Sequence, residues 1–192
     1  MVMKRVILLL VLTVAVVIPS QAQRLIPNQK GLELFGGVPI VRGEKLFRAE
    51  NYSAGVSLVR YFKTANYAFF TLECEGQTYD YRSYKVPALD GLLQLGYMHP
   101  ILSDGGKNIF LYLGVAGLGG YEEVNGGNPD LPDGAKLIDR TRWVYGGALH
   151  ASVELFLTDS LLLVMKGQGR MLFGSDLNLF RPNIGIGLRV NL

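Results

Sequence analysis

The chain has 192 residues, 49% of them hydrophobic, and a formal charge of +3 to which the N-terminal Lys4 and Arg5 contribute two units. Without those two cations the charge is +1, which leaves no electrostatic footprint for direct nucleic-acid binding. One cysteine, Cys74, rules out an internal disulfide, and that cysteine with two histidines offers no cluster of metal ligands.

Lys4 and Arg5 precede an unbroken apolar run over residues 6–18, followed by Pro19, Ser20, Gln21 and Ala22. A basic start, an apolar stretch and small residues two apart are the order of a secretory signal peptide, with cleavage expected after Ala22. The run is short of the roughly 20 residues a spanning helix needs, which argues against an uncleaved anchor. The expected organisation is a signal peptide at 1–22 and one β-barrel domain at 23–192, with no linker composition dividing it.

Eight strands are expected, at 31–40, 53–62, 67–77, 87–98, 109–121, 143–157, 161–173 and 183–192. Each is near the roughly 9–11 residues that a tilted membrane-spanning strand needs. The connections at 41–52, 78–86, 122–142 and 174–182 are long or turn-rich. Those at 63–66, 99–108 and 158–160 lie between them in the alternating order of outer-membrane barrels, which have long external loops and short periplasmic turns. Both ends of the barrel sequence then lie on the periplasmic side. The stretch 109–118 is apolar on both faces, but it is short and holds Gly114 and Gly117, so it reads as a strand.

The last strands show the two-faced pattern most clearly. His150, Ser152 and Glu154 step by two, as do Lys166, Gln168 and Arg170, and Asn183, Arg189 and Asn191 share one parity. Ile184, Ile186, Leu188, Val190 and Leu192 take the other. Side chains alternate across a strand, so one face suits hydrocarbon and the other a polar interior. In a soluble sandwich the polar face would look outward; the export signal argues for the reverse. The expected fold is therefore an all-β, eight-stranded, antiparallel up-and-down barrel of the outer-membrane type, following an N-terminal signal peptide.

Two aromatic belts are expected at the lipid boundaries. Tyr61, Phe62, Tyr67, Tyr97 and Phe110 would form the periplasmic one, and Tyr121, Trp143, Tyr145 and Phe173 the external one. The plainer alternative is that aromatic residues are simply common in strands.

The turn at 158–160 sets Leu157 against Leu161, Ser152 against Lys166, His150 against Gln168 and Ala148 against Arg170. Glu154 then lies diagonally from Lys166, within reach of a charge pair. His150, Glu154, Lys166, Arg170 and Arg189 are the candidate lumen network, joined by Glu33, Arg60, Glu73, Glu75 and Asp90. An eight-stranded barrel is just wide enough for side chains to fill, so this network is a plug. Ser152, His150 and Glu154 are parallel neighbours on one strand and cannot form a nucleophile–base–orienter chain, so no enzyme is expected. Glycines 114, 117, 119 and 120 lack a dinucleotide-loop spacing, and no cofactor is expected.

Inward Lys166, Gln168 and Arg170 turn Gly167 and Gly169 outward, beside Ala151 and near Gly147. These four residues make a low patch on a bulky lipid face, a candidate docking surface for another membrane protein. The alternative is that glycine there relieves strand coiling.

Several blocks resemble a known family in order and spacing. They are Gln23-Arg24 through Pro27 to Gly31; Tyr145-Gly146-Gly147-Ala148-Leu149 leading to Val153-Glu154 and Leu157-Thr158-Asp159; Arg170-Met171-Leu172-Phe173-Gly174-Ser175; and Gly185-Ile186-Gly187-Leu188-Arg189. Together they resemble the conjugal-transfer protein TraO family of Bacteroidetes conjugative elements, over essentially the whole chain. The resemblance implies an envelope component of a conjugative DNA-transfer apparatus, and it brings no catalytic or binding residues. Its expected partners are outer-membrane lipid and other transfer proteins, with no small-molecule substrate. A different class remains open: an adhesin or ligand-binding barrel acting through external loops, above all 122–142.

Overall fold

The structure, a computed structural model, describes residues 26–41, 48, 50–82, 84–131, 141–175 and 177–192. The expected signal peptide and its cleavage point lie outside the described residues, as do most of 41–52 and part of 122–142.

Eight antiparallel strands form one closed barrel in sequence order: β1 (Lys30–Pro39), β2 (Tyr52–Tyr61), β3 (Tyr67–Tyr81), β4 (Tyr84–Ser103), β5 (Ile109–Val124), β6 (Thr141–Phe156), β7 (Leu161–Phe173) and β8 (Phe180–Asn191). β1 meets β8 from Gly31↔Asn191 to Pro39↔Asn183, which closes the sheet and abolishes its edges. No described helix is long and apolar enough to cross a membrane.

Alternation explains why these segments close in this sense. On β8, Arg181, Asn183, Arg189 and Asn191 are buried while Ile184, Ile186, Leu188 and Val190 are exposed. The same inversion runs round the wall, where Leu34, Leu58, Leu72, Leu95, Val115 and Leu149 are outward and exposed. Burying charge and exposing hydrocarbon is unfavourable in water and favourable in lipid, where each strand's backbone must be paired.

Two connections depart most from the sequence-based expectation, and those at 122–142 and 174–182 shorten by two or three residues at their strand ends. The expected loop at 78–86 is mostly ladder, with Thr78↔Pro87, Tyr79↔Val86 and Tyr81↔Tyr84 paired. Aromatic and β-branched residues extend the pairing, and the chain reverses at Arg82 with φ 53°. One loop-end connection is therefore the tip of a long protruding hairpin. The expected turn at 99–108 also shortens, because β4 continues to Ser103. A register shift between Pro100 and Leu102 absorbs the proline, which has no N–H for the ladder.

The short turn at 104–108 is held by one side chain. The Asp104 carboxylate accepts from the backbone N–H of Ile109 at 2.7 Å, Asn108 at 2.6 Å and Gly106 at 3.1 Å. These donors, Ile109 foremost, hold the Asp104 carboxyl below the ordinary range. A depressed carboxyl stabilises the turn above its unfolded value, about 3.9, and that support is lost as pH falls through the lower folded value. We expect acid titration of the Asn108 and Ile109 amide shifts with a midpoint below about 3.9, abolished by Asp104→Asn. A midpoint at the ordinary carboxylate value would contradict the turn geometry.

Candidate functional site

The interior is built unequally. β4–β7 supply an apolar wall that includes Leu92, Met98, Tyr112, Leu118, Val144, Leu162 and Leu172. β1, β2, β3 and β8 supply most of the polar side chains, and among the described residues four cations meet six carboxylates in three tiers.

Arg189 anchors the tier nearest the short turns. Its Nε and Nη2 donate to Glu33 Oε2 at 3.0 and 2.7 Å, and its Nη1 to Glu154 Oε2 at 2.7 Å. Nη1 also donates to the Tyr61 hydroxyl at 2.6 Å, and the Tyr67 hydroxyl donates to Glu154 Oε1 at 2.5 Å. The guanidinium carbon lies 4.6 Å from the Tyr67 ring centre. Lys166 pairs with Glu33, its ammonium 3.4 Å from the Phe35 ring centre.

In the middle tier Arg170, fully buried, pairs with Glu75 and reaches Glu73 at 3.5 Å. Glu73 also accepts from Gln94 at 2.6 Å and from Gln168 at 3.1 Å. Asn183 donates to Glu75 at 2.6 Å and to Ser53 at 2.9 Å. At the loop end, Arg181 donates to Asp90 at 2.7 Å and to Glu122 at 2.6 Å, and Ser175 donates to Glu122 at 2.8 Å. Val86, Ala88, Val124 and Leu131, with Tyr79 and Leu177 against them, cover this mouth.

Of the candidate lumen residues, Glu154, Lys166, Arg170 and Arg189 lie inside and are ion-paired. His150 points inward but takes no part. Its Nε2 has no hydrogen-bond partner, and its ring meets Phe69 edge-on at 5.1 Å. The register about 158–160 is as the turn requires, with Ser152↔Lys166, His150↔Gln168 and Ala148↔Arg170. The expected Glu154–Lys166 pair is absent: Glu154 turns to Arg189 and Lys166 to Glu33. β8 already lies beside β7, and barrel closure adds β1 beyond it, so each of the two residues finds another partner across the lumen.

Arg60 is not a lumen residue. It shares the outward parity of Leu58 and is exposed, with its Nη2 donating to Asn28 Oδ1 at 3.2 Å. The lower belt is also thinner than expected. Phe62 and Tyr97 face outward, whereas Tyr61, Tyr67 and Phe110 are buried inside. Buried tyrosines need partners for their hydroxyls, and Arg189, Glu154 and Ala65 supply them. Tyr121, Trp143, Tyr145 and Phe173 are all exposed at the other end, in paired contacts Tyr121–Trp143 and Tyr145–Phe173.

Sequence reasoning missed Arg181 because it began the last strand too late, at 183, and Glu122 because it ended the fifth too early, at 121. Arg181 has the parity of Asn183 and Arg189, and that parity was the signal for it.

The four candidate docking residues separate into three situations. Ala151 and Gly167 are cross-strand partners that open onto an outer groove of about 640 Å³, shared with Gly36, Gly37, Gly185 and Met165. Gly169 is covered: a Cβ there would sit 3.0 Å from the Phe180 ring. Gly147 lies opposite Gly117 and Met171, away from the groove. The low ground therefore runs toward β8 and β1.

A closed antiparallel eight-stranded barrel with hydrocarbon outside and an ion-paired interior is an outer-membrane-type β-barrel. Solved structures bear this likeness in fold. Neisserial surface protein A matches with TM-score 0.60 and 12% identity over 85% of this chain and 97% of that one. The N-terminal barrel domain of Pseudomonas aeruginosa OprF matches with TM-score 0.56 and 14% identity, covering 86% and 98%. Ail, the attachment invasion locus protein of Yersinia pestis, matches with TM-score 0.57 and 9% identity, covering 87% and 100%. None of the curated proteins matches in sequence. The chain belongs to the family described as Conjugative transposon protein TraO, whose sequence model matches residues 26–192.

Proposed function

We propose that this chain is an outer-membrane component of a conjugative DNA-transfer apparatus, with a structural and docking role and no catalysis of its own. Family membership supplies the link to conjugation. The observation that most supports a scaffold is the plug. Its ion pairs cross the lumen, and the cavity among them, lined by Glu33, Glu73, His150 and Lys166, is about 30 Å³. That holds about two water molecules, not a solute or a DNA strand. In this reading the short-turn end faces the periplasm, the long-loop end faces outside, and membrane lipid and other transfer proteins are the partners.

Fractionation of the host followed by gels of boiled and unboiled outer membrane tests the location. A heat-dependent band shift in that fraction is expected, and a soluble periplasmic chain without one would overturn the reading. The docking role is tested with Gly167→Leu, a better probe than Gly169→Leu because Phe180 already covers Gly169. The variant should keep the band shift while recovering fewer transfer proteins on purification and transferring DNA less often. Unchanged recovery and transfer would remove the groove from the account.

The second reading, an adhesin or ligand-binding barrel, draws on the protruding β3–β4 hairpin with exposed Tyr84, braced by Arg48 on Asp80 at 3.3 Å. Scrambling residues 125–140, which spares β5, β6 and the Glu122–Arg181 pair, separates the two readings: DNA transfer that survives it favours the scaffold.

A further inference from the structure

The outer wall carries almost no charge. Among the described residues on the strands, below the belt of Tyr121, Trp143, Tyr145 and Phe173, only Lys30 and Arg60 are charged and face outward. They are direct cross-strand partners, Lys30↔Arg60. Like charges placed directly opposite destabilise a sheet. Neither has a carboxylate within ion-pair distance among the described residues; Arg60 is steadied only by the neutral amide oxygen of Asn28 at 3.2 Å.

Their surroundings match one kind of ligand. Toward the membrane centre the next outward pair is Leu32↔Leu58, flanked by Val190, all exposed hydrocarbon. Along the boundary Arg60 pairs with Ala68 and Ala68 with Tyr97, so a methyl group is all that separates the cations from an outward tyrosine. Tyr97 lies beside Phe62, with ring centres 6.3 Å apart. Two unpaired cations at an interfacial aromatic belt, with an apolar shelf above, offer complementary places for a phosphate and its acyl chains.

We propose that Lys30 and Arg60 bind the phosphate of an anionic glycerophospholipid in the membrane leaflet at the short-turn end. The proposal rests on the membrane-barrel reading above. It gives the exposed like-charge pair a role, since the single negative charge of the lipid phosphate, set between the two cations, offsets their repulsion.

The test is native mass spectrometry of the folded full-length chain in detergent, with phosphatidylglycerol or phosphatidylcholine added at equal mole fraction. The wild type should retain phosphatidylglycerol preferentially. Lys30→Gln/Arg60→Gln should weaken that retention about thirty-fold, at about fivefold per interfacial charge removed. Phosphatidylcholine retention should be unchanged, and Lys85→Gln at the opposite mouth should behave as wild type. Undiminished phosphatidylglycerol retention by the double variant would overturn the site, as would an equal loss in Lys85→Gln. Normal lipid retention with loss of a co-purifying acidic protein would assign the patch to a protein and also overturn it. A wild type with no heat-dependent gel shift would sink the barrel reading itself, whereas a shifted barrel with no lipid preference sinks only this site.

Discussion

Arg189→Met should destabilise the folded barrel by about 3–5 kcal/mol, the usual cost of removing one partner from a buried ion pair. The loss is large because one guanidinium serves Glu33, Glu154 and the hydroxyl of Tyr61, and all of these are buried. Methionine fills a similar volume, so the effect reports stranded carboxylates more than a void. Glu33 keeps Lys166, but Glu154 keeps only neutral donors such as Tyr67. Arg189→Met/Glu154→Gln should therefore recover part of the loss. Urea midpoints of the refolded barrel, read from the fraction of heat-shifted band, measure both variants. A single variant within about 1 kcal/mol of wild type would mean that water, not the arginine, solvates the plug.

Gly146→Val and Gly147→Val should differ sharply although the residues are neighbours. A Cβ on Gly146 would collide with the carbonyl oxygen of Met171 on β7 and lie 2.9 Å from its carbonyl carbon. Backbone cannot swing aside as a side chain can, so the β6–β7 ladder must open. A cost at or above the upper end of about 1–3 kcal/mol is expected. A Cβ on Gly147 meets nothing nearer than the Ala116 carbonyl oxygen at 3.6 Å, an ordinary contact on the outer wall. Valine there should leave folding intact and add apolar surface facing lipid. Refolding yield and thermal midpoint of the heat shift compare the two. Equal behaviour would show that the close approach of β6 and β7 at Gly146 is not a constraint.

The first of these predictions depends on long-range placement, and that marks where the sequence stops being informative. Glu33 and Arg189 are 156 residues apart and meet because β1 closes against β8. Alternation places both on the polar face, but says nothing of which acid takes which base. The Glu154–Lys166 pair expected from the local hairpin is replaced for that reason. The charge on Lys166 goes to a strand that only closure brings within reach.

The aromatic residues show the same division. Tyr121, Trp143, Tyr145 and Phe173 have the outward parity of their strands and form the upper belt. At the other end Tyr61 and Phe62 are adjacent, so one must face in and the other out. Arg60 next to them falls on the outward side, where polarity alone would have put it inside. At strand ends polarity is a poor guide, because an interfacial wall accepts cations as readily as a lumen does.

The sequence by itself determined the strand count, the face to which the side chains of β6–β8 turn, and the register across 158–160. These follow from period-two alternation and from a turn too short to allow another pairing. Tertiary structure alone decided which ions pair across the lumen, how far the β3–β4 hairpin extends, that Phe180 covers Gly169, and that Lys30 stands opposite Arg60. Alternation is a local property of one strand, whereas each of those contacts is set by stagger and closure of the whole sheet.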